Sequence, residues 1–254
     1  MTALLAVTLG NTSVAVARAD GSGAPDNVRR EPLERLGALV NEHLNALGGA
    51  DATVAVCSVN PEAMEQLREL AAGAGTARIR VAGEDFPITI ETDVDEPRRV
   101  GADRLLAALA AYRRTGDACI VVDAGTAVTV DAVDAAGTFL GGAILPGPDL
   151  MARALADGTA QLPHVDVRAE VASESAIGKN TESAIRAGVV HGCAGAVRAL
   201  AQVICAELGC AAPVLVTGGA AGRLGDAALG PAVAVVPDLV LEGLVLAWRD
   251  QAEP

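Results

Sequence analysis

Apolar residues follow two alternating patterns along this chain, and the alternation predicts an α/β fold. Short apolar runs at residues 4–7, 53–59 and 118–122 have the length of buried strands. Residues 33–47 and 101–114 instead place apolar side chains three or four positions apart, which predicts amphipathic helices. Strands that alternate with helices are typical of the α/β class.

One strand–turn–strand unit occurs twice in the sequence. In the second copy, Asp123 ends a buried strand, and Gly125 and Thr126 form the turn to the next strand. The first copy begins at residue 7 and aligns with the second at a constant offset of 115 positions, which places Thr8 opposite Asp123. Such turns suit phosphate, because glycine lets the backbone approach, amides and a hydroxyl donate hydrogen bonds, and a carboxylate holds a cation.

The duplication predicts two similar lobes that face a common nucleotide. We expect an N-terminal lobe over residues 1–115 and a C-terminal lobe over residues 116–254. A long helix over residues 181–208 has a stripe of glycines that would let another helix approach closely. We expect this stripe to lie where the lobes pack or where two copies of the chain form a dimer.

Composition narrows the classes of protein to which the chain can belong. Hydrophobic residues make up 51% and aromatic residues 2%, so the core must consist of Ala, Val and Leu. The net charge of −13 argues against a nucleic-acid partner, because no basic patch is available to displace counterions.

Charges interrupt every apolar stretch before it reaches the ~20 residues of a membrane span. Together with an N-terminus that lacks a signal-peptide pattern, this predicts a cytoplasmic protein without a membrane partner. The five cysteines form no CxxC pair and are expected to be buried reduced thiols.

A second candidate site opens the helix over residues 101–114. The segment reads Gly101-Ala102-Asp103-Arg104, so a carboxylate and a guanidinium are adjacent at a helix start. The carboxylate can take a proton from a hydroxyl group, and the guanidinium can bind an anion. Taken alone, this pair is better explained as a helix-terminal charge and a surface ion pair, and the other motifs of the chain favour the functional interpretation.

Together, the motifs resemble those of the type III pantothenate kinases, members of the actin-like ATPase and sugar-kinase superfamily. The first unit resembles the family's Asp-x-Gly-Asn-Thr motif, with Thr8 in place of the Asp. Residues 101–104 match Gly-x-Asp-Arg, and residues 123–131 match Asp-x-Gly-Thr-Ala-x-Thr-x-Asp. Further matches occupy residues 141–147, 159–163, 178–181 and 216–220.

The resemblance implies a fold and a reaction. The fold would be two RNase H-like lobes, and the reaction the ATP-dependent phosphorylation of pantothenate to 4'-phosphopantothenate, the first step of coenzyme A biosynthesis. ATP would be the co-substrate, with Mg²⁺ and a monovalent cation, K⁺ or NH₄⁺, as cofactors. The enzyme would act as a homodimer.

The resemblance also implies residue roles. Asp103 would accept the proton of the pantothenate hydroxyl, and Asp123 would bind the monovalent cation. The residues implied to contact pantothenate are Val94, Gly101, Ala102, Asp103, Arg104 and Thr181. The residues implied to contact ATP are Thr8, Leu9, Gly10, Asn11, Thr12, Ser13, Thr126, Gly218 and Gly219.

Two positions depart from the family pattern and keep other functions open. Thr8 brings no charge where the motif has Asp, and Val94 stands where the family often has Tyr. One alternative is therefore a weakened homologue that binds nucleotide and regulates a partner. Another is a kinase for a different small alcohol. At single residues, Thr181 can equally be a helix cap, and Thr8 and the glycine pairs 141–142 and 218–219 can equally be turn residues.

Overall fold

Two mixed β-sheets organise the chain, as seen in a computed structural model that describes residues 4–19, 25–46, 52–73, 78–168, 175–224 and 233–251. The strands are β1 (Leu4–Leu9), β2 (Ser13–Ala19), β3 (Asp26–Pro32), β4 (Thr53–Ser58), β5 (Arg78–Val81), β6 (Glu91–Thr92), β7 (Cys119–Ala124), β8 (Ala127–Val133), β9 (Thr138–Pro146), β10 (Val214–Thr217) and β11 (Val233–Val235). The helices are α1 (Leu36–Ala46), α2 (Pro61–Gly73), α3 (Ala102–Thr115), α4 (Pro148–Gly158), α5 (Thr181–Leu208), α6 (Ala221–Leu224) and α7 (Leu239–Asp250). Contacts divide the chain into a first unit, residues 1–114 with 238–254, and a second unit, residues 115–237.

The sheets of the two units have the same topology. In the first unit the strand order is β3-β2-β1-β4-β5, with β1–β2 and β2–β3 antiparallel and β1–β4 and β4–β5 parallel. In the second unit β9-β8-β7-β10-β11 follow in the corresponding order, again with two antiparallel and two parallel pairs. The duplication inferred from the two turns therefore extends to the whole sheet of each unit.

The alignment of the two turns needs one correction. Thr8 and Asp123 lie at equivalent places, 115 residues apart, because they pair with Ala15 and Thr129 on the following strands. After the turn, however, the equivalent residues are Val14 and Val128, which are 114 apart. The first turn contains one more residue than the second, so a constant offset across the turn was wrong.

The position of the last helix also differs from the sequence prediction. The predicted boundary after residue 115 lies next to the division at residue 114, but α7 belongs to the first unit rather than to the C-terminal lobe. The physical reason is its apolar face: Leu241, Leu244 and Val245 are buried in one cluster with Leu106 and the alanines of β1 and β2. Burial of this face gives the chain a reason to return to the first unit.

The structure contains elements that the hydrophobic pattern did not indicate. Strand β3 is mostly polar and exposed, because it is the edge strand of its sheet. Strand β6 is short and consists of Glu91–Thr92 alone. All five cysteines are free, as expected; three are buried, and Cys210 is exposed.

Helix α5 is, by length and composition alone, long and apolar enough to cross a membrane, and 28% of its most apolar stretch is buried.

Candidate functional site

The first phosphate-type turn joins β1 to β2 in the first unit. Leu9 is buried at the end of β1, and Asn11 and Thr12 are exposed at the tip of the turn. The turn is closed by the Gly10 amide, which donates to the Ser13 carbonyl oxygen at 2.9 Å. These residues therefore form one structured loop, as the sequence predicted, with Thr8 partly buried at its base.

A residue that the sequence analysis overlooked supports this turn. The Asn60 side chain accepts a hydrogen bond from the Ala63 amide at 3.0 Å, which caps the start of α2. Its amide nitrogen is also 3.5 Å from the Gly10 carbonyl oxygen, at the limit of a hydrogen bond. The signal was present in the sequence, because Asn before Pro61 is a favoured N-terminal cap of a helix.

Asp103 lies in the first turn of α3. Its Oδ1 accepts a hydrogen bond from the Arg104 amide at 2.9 Å, and the Arg104 amide is also 3.1 Å from the Gly101 carbonyl oxygen. A Cβ on residue 101 would collide with Asp103 Oδ1, so glycine at 101 leaves the space that this carboxylate occupies. Gly101 therefore leaves space for the Asp103 carboxylate, and this carboxylate in turn binds the Arg104 amide.

The burial of Asp103 affects the basicity of its carboxylate. Burial raises the pKa of Asp103 above the ordinary value of aspartate, against the opposing effects of the Arg104 amide and of the Arg104 charge. A carboxylate whose pKa has been raised is a stronger base than an exposed aspartate. This property separates Asp103 from a surface ion pair.

The second phosphate-type turn, between β7 and β8, is enclosed by backbone from two other segments. The Gly147 amide donates to the Thr126 carbonyl oxygen at 2.9 Å, and a Cβ on Gly147 would lie 2.6 Å from that oxygen. Gly218 has φ +92°, and a Cβ there would lie 2.6 Å from the Ala124 carbonyl oxygen and would also collide with Asp123 Oδ1. Both glycines are needed because backbone packs directly on this turn.

The two glycines of the pair 218–219 have different surroundings. Gly218 is in the left-handed region and in close contact, whereas nothing in the part of the chain that the structure describes lies within 4 Å of a Cβ on Gly219. Of the pair, only Gly218 therefore has a steric requirement for glycine.

Asp123 belongs to a row of polar side chains across the sheet of the second unit. It pairs with Thr217 on β10 and with Thr129 on β8, so the three side chains point to the same face. Thr217 is buried, and the Thr129 hydroxyl oxygen is buried without a hydrogen-bond partner among the described residues. An oxygen-rich row of this kind suits a cation.

Thr181 is the first residue of α5 but is not its cap. Asn180 caps the helix: its side chain accepts a hydrogen bond from the Ser183 amide at 2.8 Å, and its own backbone amide donates to Ser183 Oγ at 3.1 Å. Thr181 is exposed and lines a cavity of about 930 Å³ within the second unit, together with Lys179, Met151 and Leu155. The volume is that of a small-molecule site.

The remaining predicted residues provide little for a metal ion. Val94 is partly buried in the loop before α3 and is apolar. Within the described ranges, no group of three or more His, Cys, Asp or Glu side chains could hold a metal. A Mg²⁺ ion usually takes one or two carboxylates and completes its shell with water and substrate phosphates, so Asp123 fits that requirement and Thr8 does not.

Comparisons with known proteins agree with this geometry. The sequence profile of the type III pantothenate kinase family matches residues 4–203. A type III pantothenate kinase of Parafrankia sp. is 35% identical over 99% of both chains. One from Rubrobacter xylanophilus is 40% identical over 81% of this chain and 80% of its own.

A solved structure supports the fold. The (R)-2-hydroxyglutaryl-CoA dehydratase component A of Acidaminococcus fermentans matches the whole of both chains with a TM-score of 0.56 and 14% identity. At that identity the likeness shows the fold alone, and the fold is that of the actin-like ATPases and sugar kinases, as predicted. With the family profile covering most of its length and relatives more than a third identical, the chain belongs to the type III pantothenate kinase family.

Proposed function

We propose that this protein transfers the γ-phosphoryl group of ATP to the hydroxyl of pantothenate, the first step of coenzyme A biosynthesis. The observation that carries the proposal is Asp103, a carboxylate with a raised pKa at the start of α3, beside Arg104 and within space left by Gly101. Family membership supplies the reaction class, and the two strand–turn–strand units supply phosphate-type turns.

In the proposed reaction Asp103 takes the proton of the pantothenate hydroxyl. The oxygen then forms a bond to the γ-phosphorus, the bond to the bridging oxygen breaks, and ADP leaves with that electron pair. Arg104 binds the substrate carboxylate, which orients the hydroxyl relative to Asp103. Thr181 contributes a hydroxyl to substrate binding, and its place in the lining of the cavity in the second unit supports this role.

ATP contacts in the proposal come from both turns. In the first unit the contacts are made by the loop from Thr8 to Ser13, and in the second by Thr126 and the backbone at Gly218 and Gly219. Asp123 binds K⁺ or NH₄⁺, supported by the polar row that it forms with Thr129 and Thr217. When bound, Mg²⁺ would neutralise charge on the phosphates.

The enzyme is proposed to be a cytoplasmic homodimer whose subunits meet along α5. Most of the apolar stretch of this helix is not buried within one chain, and nothing described lies within 4 Å of a Cβ at Gly188, Gly192 or Gly195. A second copy would cover this face, and the glycines would let the two backbones approach. Light scattering tests the proposal: we expect twice the chain mass for the wild type and the mass of one chain for Gly192→Leu. A monomeric wild type, or one that dissolves only in detergent, contradicts it.

A regulatory, weakly catalytic homologue is the second candidate. Thr8 favours it, because the first turn contains no carboxylate and the described residues include no metal-ligating cluster. Under this alternative the protein would bind ATP without transferring phosphate to pantothenate.

A coupled ADP-release assay decides between the two functions. With Mg²⁺ and K⁺ present, we expect ADP release by the purified protein to depend on pantothenate. Asp103→Asn should lower turnover by about 10²–10⁴-fold, the usual contribution of a general base. Glu65→Gln, which changes an exposed carboxylate on α2 of the same unit, is the control and should be as active as the wild type. No pantothenate-dependent ADP release by the wild type would reject the kinase.

A further inference from the structure

The last helix of the chain packs against the helix that bears Asp103. Four buried residues of α7 belong to a cluster that also includes Leu106 and Leu109 of α3. The two helices lie far apart in the sequence but within the same unit. The position of α3 in this unit therefore depends in part on α7.

At Gly243 the two helices are in backbone-to-backbone contact. A Cβ on residue 243 would lie 2.5 Å from the carbonyl carbon of Leu106 and 2.9 Å from its Cα, and it would collide with the carbonyl oxygen. Real Cβ atoms do not approach backbone so closely, so any side chain at 243 must push the helices apart. Leu106 follows Asp103 by three residues, about one helical turn. The contact thus lies about one helical turn from Asp103 along α3.

Ion pairs connect the far end of α3 to α7. Arg114 donates to Glu242 Oε2 with its Nη2 at 2.6 Å and its Nε at 2.9 Å, and Arg113 Nη2 is 2.7 Å from Asp250 Oδ2. Thr89 also donates to the Asp250 carboxylate. The two helices are therefore attached at the ends of α3 and α7 as well as at their crossing.

The body of α3 offers little room to absorb a displacement. Residues 106–111 are all buried, and four of the six are alanines whose short side chains bring the helix close to its neighbours. Interiors packed in this way transmit strain rather than dissipate it. A push at Leu106 would therefore reach Asp103 one turn away.

We infer that Gly243 is a positioning residue for the proposed phosphoryl transfer: its missing side chain lets α7 hold α3 where the Asp103 carboxylate meets the substrate hydroxyl. The inference rests on the proposed role of Asp103 as the base. The effect operates through α3, because Gly243 is buried and lies against the backbone of Leu106.

Gly243→Ala tests the inference, with Gly37→Ala as the matched control. Gly37 is also a helical glycine of the first unit, but a Cβ there would lie no closer than 3.7 Å to a Leu70 side-chain atom, an ordinary contact. To reach the same separation from the Leu106 backbone, α7 or α3 must shift by more than about 1 Å, and a misplacement of about 1 Å can already reduce turnover about 10²-fold. Gly37→Ala should leave turnover unchanged.

A double-mutant cycle with Asp103→Asn separates positioning from general damage. If Gly243 acts through Asp103, the loss of turnover in Gly243→Ala should almost disappear in the Asp103→Asn background. The apparent pKa of the acid limb of the pH–rate profile should also move in the single variant, because the burial of Asp103 changes. An equal loss of turnover in both backgrounds with an unchanged pH profile would overturn the inference.

Glu242→Gln covers the case in which Gly243→Ala does not fold. It retains the volume of the side chain and weakens the ion pair to Arg114, so turnover should fall by about two- to five-fold, in the range for partly exposed pairs. That loss should again be absent with Asn at position 103. A failure of the proposed function can be distinguished from a failure of this inference. In the former case either the wild type would release no ADP that depends on pantothenate, or Asp103→Asn would have normal turnover.

Discussion

Gly218→Ala is the substitution whose effect on the free energy of unfolding the structure defines best. Gly218 has φ +92°, and the added Cβ would lie 2.6 Å from the Ala124 carbonyl oxygen and 2.7 Å from its carbonyl carbon. The left-handed backbone costs an alanine about 1–2 kcal/mol, and the collision adds about 1–3 kcal/mol, as in overpacked cores. We therefore expect a loss of about 2–5 kcal/mol in the free energy of unfolding.

The adjacent glycine is the control for this prediction. A Cβ on Gly219 would meet nothing described within 4 Å, so Gly219→Ala should change the unfolding free energy by less than about 0.5 kcal/mol. Thermal unfolding followed by circular dichroism measures both variants, and the difference corresponds to a fall in melting temperature of roughly 4–20 °C. Because the clash lies at Asp123, the KM for ATP and the K⁺ requirement should also rise in Gly218→Ala. Equal stability of the two variants would refute the assignment of close backbone approach to Gly218.

Three further predictions concern charge. Burial raises the pKa of the Asp103 carboxyl in the folded state. Ionisation of Asp103 therefore lowers the free energy of unfolding at pH values above that pKa. This loss of stability disappears as the pH falls toward the pKa of an aspartate in the unfolded chain, about 3.9. Asp103→Asn should therefore unfold at a higher temperature than the wild type at pH 7 while losing activity, and the stability difference should vanish near pH 4; a variant less stable at pH 7 would contradict the role of burial. Activity should require K⁺ or NH₄⁺ in addition to Mg²⁺, and Asp123→Ala should abolish that response; full wild-type activity in a sodium-only buffer would exclude the cation site. Thr8→Asp should change the turnover of a working kinase by only about a few-fold, whereas restoring activity to an inactive wild type would indicate a decayed metal site, since a metal-binding carboxylate contributes several kcal/mol.

The hydrophobic pattern predicted the elements whose burial is strong. Strands β1 and β7 are almost wholly buried, and helix α3 has a continuous apolar face, so their periodicity is visible in the sequence. Strand β3 escaped prediction because an edge strand needs few apolar side chains; its backbone hydrogen bonds to β2 hold it in the sheet. The pattern therefore reports burial, and elements held by backbone pairing alone give no such signal.

The residues of the candidate site also differ in whether a local sequence pattern reveals them. Asp103 and Asp123 were found from their places in short motifs, since a carboxylate at a helix start or a strand end is visible as a sequence feature. Asn60 was visible only as a helix cap, because its contact with Gly10, like that of Gly243 with Leu106, joins residues distant in the sequence and leaves no local signal. The return of α7 to the first unit likewise depends on tertiary packing that no local pattern encodes.

The two turns of the duplicated fold differ in charge, and this difference affects how strongly the protein repels an anionic nucleotide. The net charge of −13 opposes the approach of an anionic nucleotide, so each further carboxylate beside the phosphates adds repulsion unless a cation accompanies it. Thr8 removes one such carboxylate from the first turn, where a hydroxyl and backbone amides remain. The second turn keeps Asp123 within its row of hydroxyls. A neutral first turn therefore lowers the repulsion, while the cation requirement is concentrated at Asp123. For this reason the Asp123→Ala variant should not respond to added K⁺, whereas the Thr8→Asp variant, which keeps Asp123, should still require it.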